Sequence, residues 1–259
     1  MNYEQLLFDI CKNTAKILVN LPSELNGSNV KPLRLKPKLI FPNYEQDDKK
    51  TRISEQEARF AFCHAFEENA EPKLYYSIET PTEKKYSFKR KIIIDMEKGQ
   101  SAQSDMSIFK LDDSNFKQII NVEFKAHNVE LSHIEKDFLK LLAEPHHGLF
   151  FHLIKKVGKN TLISENKTQY GILDKYNKSI KKIKINNNNL FKEKILKPKQ
   201  LVFAICILKP EKYLLTKILK KSDFKNINDI FDLEYSVSKG KIDFTDELKK
   251  SNPWNILQI

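Results

Sequence analysis

This sequence has few cysteines and no long apolar run, and each shortage excludes a class of protein. The three cysteines, Cys11, Cys63 and Cys206, lie far apart and form no CxxC pair, so a disulfide framework or a structural zinc site is not expected. The longest unbroken apolar stretch spans eight residues, whereas a transmembrane helix needs about 20. Glu4 and Asp9 interrupt the first apolar stretch, which is not typical of a signal peptide. We therefore expect a protein of the reducing cytoplasm without a membrane partner.

Arginine is also scarce, although the chain as a whole is basic. Lysine and arginine total 45 against 34 acidic residues, a formal net charge of +11, and four of the 45 are arginines, which leaves 41 lysines. Residues 156–221 hold 17 lysines and 4 acids, a net of +13, so the other 193 residues net −2. Two interpretations of this stretch stay open. It is a surface that follows a nucleic-acid backbone, with Tyr170, Tyr176 and Phe191 for stacking, or a solvated lysine face produced by biased codon use.

The 259 residues suit one large domain with its own core, and a hydrophobic content of 40% argues against disorder. The spacing of apolar residues predicts an amphipathic helix over 4–19 that ends before Pro22. Residues 20–51, rich in proline and asparagine, are expected to form an extended connector. Ser54 followed by Glu57 is typical of a capping box, which predicts the start of a second helix.

Two alternating segments, 102–111 and 117–125, flank the polar sequence DDSN and predict a β-hairpin. We expect a helix and connector over 1–51, a core over 52–155 and a basic extension of the same domain over 156–259. The other predicted elements, in chain order, are a strand at 74–80, a helix at 130–144, strands at 149–155, 176–185 and 201–208, and a helix at 212–221.

The hairpin carries the residues on which the functional hypothesis depends. Side chains two apart in a strand share a face, so Glu123 and Lys125 lie opposite the apolar Val122 and Phe124. Asp105 in the first strand likewise points away from its apolar neighbours. Both carboxylates therefore share one surface if the register of the hairpin aligns them. Two carboxylates and an ammonium are costly to hold together unless they serve a function.

This combination of side chains suits metal-assisted hydrolysis of a phosphodiester. Asp105 and Glu123 supply hard oxygen ligands for Mg²⁺, with Mn²⁺ as an alternative. Lys125 can hold or help to deprotonate the attacking water and offset charge in the transition state. Glu57 adds a further carboxylate if its helix packs along the hairpin. The plain alternative is a solvated hairpin face with alternating charges.

The order of helix with glutamate, strand, strand with aspartate, strand with Glu-x-Lys, helix and strand resembles the PD-(D/E)XK nuclease superfamily, which has the restriction-endonuclease-like fold. Asp105 matches its lone acid, Glu123 and Lys125 its E-x-K pair, and Glu57 its helix glutamate; the likeness spans about residues 52–155. The resemblance implies an α/β fold whose central mixed β-sheet is flanked by helices. Here an N-terminal helical segment and a basic C-terminal segment are added to that core.

Three further residues are candidates for contacts with phosphate or DNA. Gln103 shares the face of Asp105, and His127 closely follows the E-x-K pair. The segment HIEKDFLKLL resembles the second helix of several prokaryotic members, in which a lysine such as Lys136 faces the site. One departure from the pattern is Ser104, which stands where many members carry proline before the aspartate.

The resemblance implies a Mg²⁺-dependent endonuclease that hydrolyses phosphodiester bonds of DNA, with RNA as the alternative nucleic acid. A chain of this length resembles prokaryotic restriction enzymes and anti-phage defence nucleases. Its expected associations are a homodimer or a partner methyltransferase, ATPase or sensor subunit. Two rival hypotheses stay open: a catalytically inactive nuclease fold that binds nucleic acid, and a subunit that contacts a larger complex through its N-terminal helix.

Overall fold

The computed structural model describes residues 2–24, 53–89, 91–164, 169–192, 200–220, 223–224, 230–245 and 253–259. Over these ranges the chain adopts the predicted α/β architecture, in which helices cover both faces of a large mixed sheet. The helices are α1 (Tyr3–Glu24), α2 (Glu55–Asn69), α3 (Leu131–Ala143), α4 (Ile172–Asn186) and α5 (Asn188–Lys192). The strands are β1 (Leu74–Ser87), β2 (Ile93–Ile94), β3 (Gln100–Asp112), β4 (Asn115–Ala126), β5 (His147–Ile154), β6 (Leu201–Ile207), β7 (Tyr213–Leu219), β8 (Tyr235–Ser238), β9 (Lys241–Phe244) and β10 (Asn255–Gln258).

The first two helices form where the sequence predicts them. At the start of α2, the backbone N–H of Ser54 donates to Oε2 of Glu57 at 2.8 Å, which confirms the capping box. The prediction that α1 ends before Pro22 is wrong, because the helix continues to Glu24. A proline removes a single backbone donor, and the turn that precedes it is held by the buried side chain of Leu18.

Eight strands form one sheet in the order β10-β7-β6-β5-β4-β3-β1-β2, and β8 pairs with β9 in a second sheet. β4, β5 and β6 run parallel to one another, while the other neighbouring pairs are antiparallel. α3 lies in the connection from β4 to β5, and α4 in that from β5 to β6. Because parallel strands point the same way, the carboxyl ends of β4, β5 and β6 lie at one edge of the sheet.

Different helices cover the two faces of the sheet. α1 and α2 pack over one face, against Val122 and Phe124 of β4, while α3 and α4 pack over the other, against Phe150 and Phe203. The predicted hairpin is confirmed, since β3 and β4 are antiparallel and meet at the DDSN sequence. Alternate residues of a strand point to opposite faces, so Glu123 points towards the layer that contains α3.

Two predictions beyond residue 155 are wrong. One assigns a strand where the structure has a helix, and the other assigns a helix where it has a strand. Residues 176–185, predicted as a strand, belong to α4, whose buried residues Ile172, Ile180 and Ile183 follow a helical spacing. Residues 212–221, predicted as a helix, contain β7, which pairs with both β6 and β10. Both faces of β7 are largely buried, and this removes the alternation that marks a half-exposed strand.

Segments outside the predicted core take part in the same sheet. β6, β7 and β10 come from the predicted extension over 156–259, and α1 packs against β6 and β7. The predicted connector beyond residue 24 and the side chain of Phe191 lie outside the described residues. Among the described helices, none has both the length and the apolar character needed to cross a membrane.

The aromatic core between α3 and the sheet is expected to dominate stability. The ring centroid of Phe138 lies 4.8 Å from that of Phe150 and 5.1 Å from that of Phe203, and its side chain is 1% exposed. We expect Phe138→Ala to lower the free energy of unfolding by about 3–5 kcal/mol, because it leaves a cavity. Denaturant unfolding checks this against Phe60→Ala, whose side chain is 58% exposed. Equal losses in the two variants would contradict it.

Candidate active site

The register of the hairpin places the two predicted carboxylates opposite one another. Met106 pairs with Val122, so the next positions in the same register are Asp105 and Glu123. Oδ2 of Asp105 accepts a hydrogen bond from the backbone N–H of Phe124 at 2.7 Å. Glu123 is completely buried, whereas the side chain of Asp105 is 20% exposed. One carboxylate therefore lies inside the protein, and the other lies at its surface.

A lysine of α3 supplies the counter-charge for the buried carboxylate. Nζ of Lys140 lies 2.7 Å from Oε2 of Glu123 and 3.0 Å from Oδ1 of Asp137. The same ammonium donates to the backbone carbonyl of Gln103 at 2.8 Å. Three oxygens thus satisfy the three donors of this ammonium, and α3 is tied to both strands of the hairpin.

The lysine of the E-x-K pair is held in a similar way. Nζ of Lys125 lies 2.8 Å from Oδ2 of Asp137 and 3.6 Å from Oε2 of Glu55. It also donates to the backbone carbonyl of Phe124 at 2.7 Å. Asp137 consequently bridges the two lysines, one through each of its oxygens.

The helix carboxylate nearest to Lys125 is Glu55, whereas Glu57, the predicted helix ligand, lies at the cap of α2. The carboxylate of Glu57 accepts from both the backbone N–H and the hydroxyl of Ser54, so it caps the helix. Glu55 and Arg59 are four residues apart and share the face of α2 that meets the hairpin. Nη2 of Arg59 lies 3.3 Å from Oδ1 of Asp105 and 3.9 Å from Oε1 of Glu55.

Together these side chains form a largely buried cluster of opposite charges, which we call the charge cluster. It contains four carboxylates and three cations, a formal excess of one negative charge. Its members are Glu55, Arg59, Asp105, Glu123, Lys125, Asp137 and Lys140. A net negative cluster that is shielded from water favours an additional cation.

The pKa values in the charge cluster follow from burial and from these ion pairs. Burial raises the pKa of Glu123, and the ammonium of Lys140 offsets that effect only in part. Burial also acts to raise the pKa of Asp137, but Lys140 and Lys125 outweigh it and lower the value. Burial works against charging either lysine, yet Asp137 and the other carboxylates raise the pKa of both. Lys125 and Lys140 are therefore ammonium ions at neutral pH.

Asp105 and Glu123 fit the requirements of a divalent cation. Oε1 of Glu123 is buried and has no hydrogen-bond partner among the described residues, and a buried carboxylate oxygen without a partner is costly. Asp105, opposite Glu123 in the register of the hairpin, offers a second carboxylate at the surface of the cluster. Of the three predicted ligands, Asp105 and Glu123 are thus suited to a divalent cation, whereas Glu57 is hydrogen-bonded at the helix cap.

A different group of three side chains brings its ligand atoms close enough together to hold one metal ion. One ligand atom from each of Glu83, Glu144 and His146 lies within 4.8 Å of the others. However, the carboxylate of Glu144 already accepts from the backbone N–H groups of Glu83 and Lys84, each at 3.0 Å, and from the hydroxyl of Tyr86 at 2.7 Å. This group therefore joins β1 to the end of α3.

A cleft of about 580 Å³ opens onto the charge cluster, and two of the predicted contact residues line it. Gln103 and Lys136 lie along this cleft together with Asp105, Asp137 and Lys140. Nζ of Lys136 lies 5.4 Å from the centroid of the Phe88 ring, which also lines the cleft. A ligand in this cleft therefore contacts both carboxylates, from Asp105 and Asp137, and the lysine Lys136.

His127 lies outside that cleft and has a structural contact. Its Nε2 donates to the backbone carbonyl of Ile53 at 2.6 Å, which joins β4 to the residue before the cap of α2. The carbonyl of His127 in turn accepts from Nε2 of His152 at 2.6 Å, and Nδ1 of His152 accepts from the hydroxyl of Tyr176. Burial lowers the pKa of His152 to about 3, so this ring stays neutral. Tyr176 is buried in the same contact and does not stack on a ligand.

The sequence analysis missed four members of the charge cluster: Glu55, Arg59, Asp137 and Lys140. Two signals for them exist in the sequence, since Glu55 and Arg59 are four residues apart and Asp137 and Lys140 are three apart. Each pair therefore presents opposite charges on one helix face. Which face meets the hairpin depends on tertiary packing, and the local pattern does not give it.

Comparison with known proteins gives no relative from which a function can be transferred. No model of a known protein family matches this chain, and neither a search of curated proteins nor one of solved structures finds a match.

Removal of the lysine that balances Glu123 is expected to destabilise the protein strongly. Lys140→Met leaves Glu123 buried without its cation, and we expect a loss of about 3–5 kcal/mol in the free energy of unfolding. The double variant Lys140→Met/Glu123→Gln, which removes both charges, should recover part of that loss. Denaturant unfolding measures each value, with Lys136→Met on the same helix as the control, expected to lose less than about 1 kcal/mol. A Lys140→Met variant as stable as this control would contradict the assignment.

Proposed function

We propose that this protein hydrolyses phosphodiester bonds of DNA at the charge cluster, with Mg²⁺ as its cofactor, and that its fold is restriction-endonuclease-like. The observation that carries this proposal is the position of Lys125. Its ammonium lies beside a buried carboxylate cluster at the end of a strand, two residues after Glu123 and across the hairpin from Asp105. The antiparallel β3 and β4, the helix α3 and the parallel β5 support the fold assignment, since they follow the order that the resemblance implies.

Asp105 and Glu123 would hold the cation, because they combine an accessible carboxylate with a buried oxygen that has no hydrogen-bond partner within the described ranges. Polarisation of the phosphoryl group is the chemistry that a divalent cation supplies when bound. Arg59 is a positioning residue, since its guanidinium fixes one oxygen of Asp105. The backbone N–H of Phe124 fixes the other oxygen.

Lys125 would act as a cation in the reaction and would not act as a base. Its carboxylate neighbours raise its pKa above the ordinary value, so it keeps its proton at neutral pH. A fixed ammonium can orient the attacking water and stabilise the negative charge that develops on the phosphate. Asp137 holds Lys125 in place through an ion pair of 2.8 Å.

A second candidate function is binding of nucleic acid without cleavage, and one observation favours it. Lys140 already neutralises the carboxylate of Glu123 at 2.7 Å, as a purely structural ion pair would. The two functions differ in their need for the carboxylates, because binding through lysines does not require Asp105 or a divalent ion.

We expect the purified protein to nick a supercoiled plasmid in Mg²⁺ and not in EDTA. Asp105→Asn and Lys125→Met should each lower the rate by at least about 100-fold, because each removes charge placed at the reacting phosphate. Glu57→Gln is the matched control, since Glu57 lies in the helix cap, and it should keep the rate within about threefold.

Agarose-gel time courses measure these rates, and melting curves confirm that each variant is folded. Nicking that is independent of the metal, or equal in wild type, Asp105→Asn and Lys125→Met, would overturn the proposal. Binding of DNA by a wild type that does not cleave would establish the second candidate function instead.

A further inference from the structure

A second and larger cleft, of about 1350 Å³, lies at the carboxyl ends of the parallel strands. Residues that follow each of the three strands line it: His127 after β4, Lys156 after β5 and Lys209 after β6. The backbone N–H of Val157 donates to the carbonyl of Lys209 at 2.8 Å, which holds the last two segments together. Ligands of open α/β sheets bind outside the carboxyl ends of the strands, and this cleft occupies that position.

The charge of this cleft is of one sign. Five lysines line it, and none of the lining residues that the structure describes is acidic. We call it the lysine cleft, and its lysines are Lys155, Lys156, Lys159, Lys175 and Lys209. A concave surface with charge of one sign focuses the electrostatic potential and concentrates ligands of opposite charge. The cleft over the charge cluster differs, because Asp105 and Asp137 lie among its lining residues.

The lysine cleft and the charge cluster share one segment of the chain. Lys125 belongs to the cluster, and His127, two residues later, lines the lysine cleft. Nζ of Lys175 donates to Oδ1 of Asn128 at 2.6 Å and to the carbonyl of Val129 at 2.8 Å. These two residues lead into α3, which carries the cluster residue Asp137. The end of β4 and the segment that leads into α3 therefore connect the lysine cleft to the charge cluster.

An exposed aromatic side chain stands among these lysines. Tyr170 lines the lysine cleft and is 41% exposed, and Nζ of Lys178 lies 3.1 Å from the centroid of its ring. A groove of cations with an exposed ring is the combination that binds a single nucleic-acid strand, whose phosphates meet the cations and whose bases meet the ring. In a duplex the bases are stacked inside and are not available to such a ring.

We propose that the lysine cleft binds the phosphodiester backbone of a single nucleic-acid strand. The inference deepens the proposed function, on which it rests for the identity of the polyanion, because it names an unpaired strand as the part of the DNA that the protein holds. Lys156 and Lys209 lie on adjacent segments and would contact phosphates. Tyr170 would contact a base.

The test is fluorescence anisotropy with a labelled oligothymidylate in EDTA, where binding is measured without cleavage. Lys156→Glu/Lys209→Glu reverses two charges of the cleft, and Lys110→Glu/Lys117→Glu makes the same change at the opposite, turn end of the hairpin. We expect the cleft variant to bind at least about 10-fold more weakly than wild type, and its salt slope to fall by about 1.4, or 0.7 for each lost phosphate contact. The hairpin variant should stay within about twofold of wild type. Unchanged melting temperatures show that both variants fold.

Two results would overturn the inference. The first is equal binding of the oligonucleotide by the cleft variant and the hairpin variant. The second is competition in which ATP or a duplex of the same length displaces the oligothymidylate as well as the unlabelled strand does. ATP would identify a site for free nucleotides, and the duplex would identify a surface for double-stranded DNA.

A plasmid assay in Mg²⁺ separates this inference from the proposed function. If the cleft variant loses strand binding while Asp105→Asn leaves plasmid nicking unchanged, the lysine cleft is established and the catalytic proposal fails. If Asp105→Asn abolishes nicking while the cleft variant binds the strand like the hairpin variant, the catalytic proposal stands and the inference fails.

Discussion

The ion pair between Glu123 and Lys140 is the interaction on which the rest of this structure depends. Glu123 lies fully buried in the central sheet, and a carboxylate there is tolerated only with a close cation. That cation comes from α3, so the helix must lie with Lys140 over the hairpin and Phe138 in the aromatic core. Asp137, on the same helix, then holds Lys125. The need to balance one buried charge thus places α3 over the hairpin and brings Asp137 beside Lys125.

The same ion pairs decide what the charge cluster can do. Both lysines keep their protons because the carboxylates around them raise their pKa values. They can therefore stabilise negative charge, and neither is a base at neutral pH. The charge cluster keeps an excess of one negative charge, and Oε1 of Glu123 has no hydrogen-bond partner among the residues that the structure describes. The described residues that line the lysine cleft carry positive charge instead, and the two regions are connected through the segment from β4 to α3.

Much of the fold and part of the candidate site could be predicted from the sequence. What could be predicted depends on local signals, and what could not depends on tertiary packing. The hairpin and the helix cap follow from alternation and from the spacing of Ser54 and Glu57, which are local signals. The sequence does not show which glutamate of α2 belongs to the charge cluster, because a glutamate in the first turn of a helix can cap the helix or face a site. Tertiary packing decides that Glu57 caps the helix and that Glu55 faces the hairpin. The sequence predicts a strand within α4 and a helix over β7, because burial on several sides weakens the periodicity that distinguishes a helix from a strand.

We propose that Asp105 and Glu123 form a divalent-cation site within the charge cluster. Calorimetric titration of Mn²⁺ into the purified protein tests it most directly, since it requires neither substrate nor cleavage. We expect saturable binding to wild type and to Glu57→Gln, and a loss of at least about 10-fold in affinity in folded Glu123→Gln. Equal affinity in all three proteins, or no binding to wild type, would show that these carboxylates do not hold the cation.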